Sequence, residues 1–171
     1  CIFIVLVASY DLLLGYTGIV SFAHTMFFGI GAYGVALSLS ALGASFTAIV
    51  VGVLGGTAVA AALALAIGLF SLRVKAIFFA MVTLAVASAF AVLVSQLSTI
   101  TGGEDGLTYR IPRVLTPAYK LLDMRILDVR IDGRLLAYYL VFVSALVLFL
   151  GLLRVVNSPF GRTLKAVRDN A

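Results

Sequence analysis

Formal charge is what this chain has least of. Its 171 residues hold 12 Lys and Arg and 7 Asp and Glu, 11% of the sequence, against 63% hydrophobic residues. A soluble domain carries about 25% charged residues, and a small domain cannot hide this much apolar surface in one core. The scarcity is also local. Leu12 to Leu72 is a run of 61 residues without formal charge, His24 taken as neutral, whereas 11 of the 19 charged residues fall between Glu104 and Arg134. A membrane-spanning helix needs about 20 apolar residues. The chain therefore reads as an integral membrane protein, and a soluble enzyme is excluded. One Cys and one His exclude an internal disulfide framework and an ordinary multi-ligand Cys/His metal site. No dense basic patch with interleaved aromatics points to nucleic acid. No positively charged leader precedes the first apolar run, unlike a signal peptide. With Cys1 at the start and Ala171 inside a helical pattern, the expectation is a piece of a longer protein, truncated at both ends.

About five spans follow from the apolar runs. Cys1 to Leu14 is the tail of one, interrupted by Asp11 and ended by Gly15-Tyr16-Thr17-Gly18. Ile19 to Leu42 is the second, and Gly43-Ala44-Ser45 turns the chain into a third, Phe46 to Phe70. Arg73 and Lys75 close it; Ile77 to Leu97 is the fourth and Leu135 to Leu153 the fifth. The fold class predicted is all-α, a polytopic transmembrane helical bundle with one span discontinuous. Lys and Arg favour the cytoplasmic side. Arg73/Lys75 and the tail with Arg154, Arg162, Lys165 and Arg168 are two spans apart, so both are assigned to the cytoplasm. Residues 98–134 are then outside, their six positive residues interleaved with five acids. Positive cytoplasmic loops account for the net charge of +5.

Two glycine patterns carry no chemistry. Gly29-Ile-Gly31-Ala-Tyr-Gly34 has the spacing of a dinucleotide-binding turn, but it lies in an uncharged apolar run with no acid about 20 residues on. It reads as close helix packing or a helix break. Gly52-Val-Leu-Gly55-Gly56 reads as a small-residue packing face. No Ser/His/Asp arrangement, phosphate loop or paired-carboxylate site is present, so catalysis has no support. The second span is more telling: Tyr16, Thr17, Ser21, His24, Thr25 and Tyr33 gather polar groups in one stretch. Polar residues at membrane depth are costly unless they face a partner or a watery cavity. With glycines nearby, a broken helix lining a path is one reading. The other is that each hydroxyl bonds back to a carbonyl of its own helix, and that His24 makes an interhelical hydrogen bond.

These residues resemble a known family. Gly15-Tyr-Thr-Gly-Ile-Val-Ser-Phe-Ala-His24 followed by Phe27-Phe-Gly-Ile-Gly-Ala-Tyr33 is similar to the permease subunits of branched-chain amino acid ABC importers of the LivM type. Ser71-Leu-Arg-Val-Lys-Ala-Ile-Phe-Phe-Ala80 with Thr83-Leu84, Thr101-Gly-Gly-Glu-Asp-Gly-Leu107, and Ser158-Pro-Phe-Gly-Arg-Thr-Leu-Lys-Ala-Val-Arg-Asp-Asn170 agree with it. Ala23 departs from the pattern, where the family usually has Gly before the His. The resemblance implies a single permease domain over residues 1–171 in a bacterial inner membrane, with no cofactor of its own and ATP used by partner subunits. Those partners are a second homologous permease, two cytoplasmic ATP-binding subunits and an extracytoplasmic substrate-binding protein. Leucine, isoleucine and valine are the default substrates; permeases of the same family also serve urea, short amides and other amino acids. A membrane scaffold without a path is the alternative of another class.

Three groups of site residues are expected on this basis. Tyr16, Thr17, Ser21, His24, Thr25, Tyr33 and Thr83 would face the translocation path. Thr101, Gly102, Gly103, Glu104 and Asp105 have turn composition, and Asp128 to Asp132 alternates as a short strand would. That segment is either an ordered cap on which the binding protein docks or a solvated connector. Residues 157–171 form the coupling region: Pro159 ends the preceding helix and Gly161 permits a tight reversal. Leu164 and Val167 share one face, with Arg162, Lys165 and Arg168 around it. The resemblance makes this an ATPase-docking helix, with Leu164 and Val167 in a groove and Arg162 and Arg168 paired with acids at its rim. A membrane-surface helix is the alternative.

Overall fold

A computed structural model describes residues 1–71, 76–116 and 133–169. Among them there are helices and turns and no strand; the strand expected at residues 128–132 lies outside them. Four helices are long and apolar enough to cross a membrane: α2 (His24–Leu42), α3 (Phe46–Ser71), α4 (Ala76–Gln96) and α6 (Gly133–Val156). The helix α1 (Ile2–Thr17) is apolar and shorter, with 16 residues, or about 24 Å beside a hydrocarbon core of about 30 Å. A four-residue helix, α5 (Ser98–Thr101), follows α4, and α7 (Pro159–Asp169) closes the chain. The helices form two compact units, Val20–Ile111 and Cys1–Ile19 with Pro112–Ala171.

In the unit Val20–Ile111, α2 packs most extensively on α3. Gly43, at φ 81°, turns the chain between them, and Ser45 Oγ accepts the Ala48 N–H at 3.2 Å to cap α3. Ala48, Gly52 and Gly56 are buried and stand four residues apart on α3, one stripe of a helix. A Cβ on Gly34 of α2 would lie 2.8 Å from Gly56 Cα and 2.9 Å from the Gly52 carbonyl. Lipid tails are as apolar as the helices, so helix association in a membrane relies on close packing, which glycines permit. The packing half of the glycine reading is thus realised at Gly34, Gly52 and Gly56. Breakage is not: α2 runs unbroken through Gly29 and Gly31.

The break lies earlier. The second span was expected from Ile19, but α2 begins at His24. Gly18, at φ 71°, ends α1 in the left-handed region and gives its N–H to the Leu14 carbonyl at 3.1 Å, a glycine-favoured helix ending. The apolar residues Ile19, Val20 and Phe22 then run outside a helix. Thr83 of α4 holds this link. Its hydroxyl accepts the Phe22 N–H at 3.2 Å and donates to the Ala80 carbonyl at 2.9 Å.

In the other unit, α1 packs on α6 and on α7. After α6, the Asn157 and Ser158 amides bond back to Leu153 and Val155 at 3.0 and 3.2 Å. Pro159 starts α7, where a missing N–H costs nothing. Gly161 is buried, and a Cβ there would lie 2.7 Å from the Val156 carbonyl carbon. The chain turns at Asn157 and Ser158, before Pro159, so Gly161 lies inside α7 and not at the reversal expected there; what it supplies is room against the end of α6. Large apolar side chains of α3, α4 and α6 stay exposed along their length, as faces suited to lipid.

Two predictions follow from these contacts in the full-length protein. A Cβ on Gly52 would sit 2.6 Å from Val35 Cα, backbone that cannot rotate away, whereas Gly55 has open space around it. Gly52→Ala should therefore cost about 2 kcal/mol in detergent unfolding while Gly55→Ala costs nothing; equal effects would contradict the seam. Thr83→Val should cost about 1–3 kcal/mol by stranding the Phe22 N–H and speed exchange of that amide, and Thr83→Ser should restore both.

Candidate functional site

The residues expected to line a path occupy several surroundings. Tyr16 and Thr17 stand on the last turn of α1, and the Thr17 hydroxyl donates to the Leu13 carbonyl of its own helix. That is the self-satisfied arrangement. Ser21 is buried in the link, His24 is the half-buried first residue of α2, and Thr25 beside it is exposed. Thr83 is 0% exposed, with both roles of its hydroxyl taken inside the chain as described above. Tyr33 lies nine residues beyond His24, about 180° round the helix. The structure does not bring His24 and Tyr33 to one face.

Tyr33 instead lines a cavity of about 510 Å³ with Ile30, Gly34, Gly52, Gly56 and Phe90 among others. Its wall is almost wholly apolar. Ser38 adds no polar group to it, because its hydroxyl lies 2.9 and 3.0 Å from the Gly34 and Val35 carbonyls. The cavity lies beside the glycine seam of α2 and α3, and Gly55, which has open space around it, stands in its wall.

The turn after α4 has the chemistry its composition suggests. Gly102, Gly103 and Gly106 hold φ 78°, 60° and 72°, values that favour glycine. Thr101 is buried; its Oγ1 lies 2.6 and 2.8 Å from the Val94 and Leu97 carbonyls and accepts the Gly103 N–H at 3.3 Å. Thr101 therefore fastens the turn to the end of α4, and Asp105 is exposed on it. The Glu104 side chain and residues 117–132 lie outside the described parts of the structure.

Among the described helices longer than one turn, α7 alone segregates polar from apolar residues. Residues at i, i+4 and i+7 share a helical stripe. One stripe carries Gly161, which meets the end of α6, and Lys165 and Arg168, which meet α1. Arg168 Nη1 donates to the Gly15 carbonyl at 2.6 Å, and Lys165 Nζ stands 5.0 Å from the centroid of the Tyr16 ring. The next stripe begins with Phe160, 59% exposed, and continues through half-buried Leu164 to Val167, whose side chain lies outside the described ones. Arg162 is exposed on the outer side.

Arg168, expected with Arg162 as a charge offered to a partner, gives at least one of its donors to α1. The spacing of Phe160 with Leu164 and Val167 was available in the sequence as an i, i+4, i+7 pattern and was missed. The Lys165–Tyr16 and Arg168–Gly15 contacts had no such signal, since they join the two ends of the chain. Among the described residues, no three His, Cys, Asp or Glu converge on a metal-holding site.

Comparison with known proteins adds one finding. The family model described as the permease component of the branched-chain amino acid transport system matches residues 1–171. Neither curated proteins nor solved structures give a match. Four apolar helices of spanning length agree with a membrane-embedded component of a multi-subunit transporter. The chain belongs to the family of permease components of branched-chain amino acid transport systems.

Proposed function

We propose that the chain is the LivM-type permease subunit of an ATP-driven importer carrying leucine, isoleucine and valine across a bacterial inner membrane. The observation that carries this reading is the family match over all 171 residues. Its partners would be a second homologous permease, two cytoplasmic ATP-binding subunits and an extracytoplasmic binding protein. ATP would be used by those subunits, and this chain would supply the path and the coupling without catalysis of its own. Counting spans puts the end of α1, residues 72–75 and α7 on one side, and the positive residues there favour the cytoplasm.

Within this reading α7 is the ATPase-docking helix. Phe160, Leu164 and Val167 form the stripe for a groove on the ATPase, with Arg162 at its edge. The exposed aromatic at 160 supports a protein groove, which rewards a buried ring. His24 and Thr25, at the start of α2, are the first candidates for the path, together with Ser21. The turn at 102–105, with Asp105 outward, is the candidate docking point for the binding protein.

Reconstitution of the full-length chain with its partner subunits tests the reading. Proteoliposomes should take up leucine, isoleucine and valine only with ATP, and transport of urea or short amides instead would contradict the substrate class. Leu164→Asp should abolish uptake and release the ATP-binding subunits while the permease still inserts. In a Cys1→Ser background, removing the exposed native thiol, Thr25→Cys should react with small water-soluble thiol reagents and Thr83→Cys should not. Protection of both positions would remove the path from the start of α2.

A further inference from the structure

The last turn of α1 gathers contacts that neither a path nor a partner surface requires. Gly15 lies among the final residues of the helix, where carbonyls lack helical donors; its oxygen accepts from Arg168 Nη1 at 2.6 Å. A cation at a helix C-terminus also meets the negative end of the helix dipole. The stem of Arg168 crosses Gly18, where a built Cβ would lie 3.1 Å from Arg168 Cγ. Gly18 thus combines a left-handed backbone with the side chain of α7 lying against it. Lys165, three residues earlier on the same stripe, stands over the face of Tyr16 at 5.0 Å, within reach of a cation–π attraction. Asp11, one turn before Gly15, turns its carboxylate to the same part of the helix: Oδ1 would be 3.0 Å from a Cβ on Gly15.

We propose that Tyr16, Lys165 and Arg168 are positioning residues for transport. They clasp α7 to the last turn of α1, so that movement of α7 is delivered to the chain at the Gly18 hinge. Without the clasp, α7 would act on the spans only through its covalent elbow to α6. With it, α7 holds two helices whose sequence positions are far apart. The link that follows Gly18 is short and non-helical, leading to Ser21 and His24. A displacement of the α1 terminus therefore changes backbone angles in the segment that opens α2. The inner stripe of α7 serves this clasp, and the adjacent Phe160–Leu164–Val167 stripe remains for a partner. The inference rests on the reading of α7 as the element that faces the ATPase.

The test uses the full transporter in proteoliposomes, with leucine carried per ATP hydrolysed as the readout. Arg168→Ala should lower leucine carried per ATP by about tenfold, the worth of one charged hydrogen bond, and Tyr16→Leu by about two- to fivefold, the worth of an exposed cation–π contact. The ATP-binding subunits should stay bound. Arg168→Lys, which keeps a donor for the carbonyl, and Tyr16→Phe, which keeps the ring face, should recover most of the coupling. Release of the ATP-binding subunits by Arg168→Ala would overturn the clasp by making Arg168 a partner contact, and so would an unchanged ratio in both variants. Amide hydrogen exchange across residues 14–18 of the purified full-length permease gives a reading that needs no partner. Arg168→Ala should speed it by about tenfold, and unchanged exchange would overturn the clasp. Absence of ATP-driven leucine uptake in the unaltered transporter would count against the proposed function instead, and exchange alone would then decide the clasp.

Discussion

Backbone groups left over where a helix ends need partners outside that helix, and this constraint governs where the chain uses several of its few polar side chains. Four interruptions among the described residues have one. The Thr83 hydroxyl takes the Phe22 N–H in the link after α1. Arg168 takes the Gly15 carbonyl at the end of α1. Thr101 serves carbonyls at the end of α4 and the amide of Gly103, and Ser45 caps the start of α3. Thr83, grouped in the sequence with the path residues, and Thr17 within the polar cluster both spend their hydroxyls on backbone.

Glycine divides its work by neighbourhood. At Gly18, Gly43, Gly102, Gly103 and Gly106 it supplies positive φ where the chain turns. At Gly34, Gly52 and Gly56 it supplies the absence of a side chain, so that α2 and α3 can meet backbone to backbone. An apolar cavity lies beside this seam. Gly161 belongs with the packing group, since the fold of α7 against the end of α6 leaves no room for a Cβ.

Much of the fold was legible because apolar length is a local property. The third span was read as Phe46 to Phe70 and is found as Phe46–Ser71, and the turns at Gly43 and after Val156 stand where composition put them. The second span was misplaced at its start for a physical reason. Ile19, Val20 and Phe22 are as apolar as any helical residue, and their departure from helix depends on Gly18 and on Thr83, 61 residues from Phe22. The grouping of Tyr16, Thr17, Ser21, His24, Thr25 and Tyr33 was legible, but its geometry was not: helical rotation separates His24 from Tyr33, and Thr17 turns back on its own helix. Least legible was the use of Arg168, whose acceptor is a backbone carbonyl 153 residues away. A carbonyl leaves no mark in a sequence.

The same economy joins the fold to the transport reading. An amphipathic α7 with one stripe held to α1 and Phe160 exposed on the next can take a push from one side and pass it to the other. The most direct measurement of this account is the structure of the assembled transporter determined with and without ATP. The account predicts that the Arg168–Gly15 contact persists in both states, that Phe160 is covered by the ATP-binding subunit, and that backbone change concentrates between Gly18 and Ala23. Separation of α7 from α1, with Arg168 turned onto a carboxylate of the ATP-binding subunit, would contradict it.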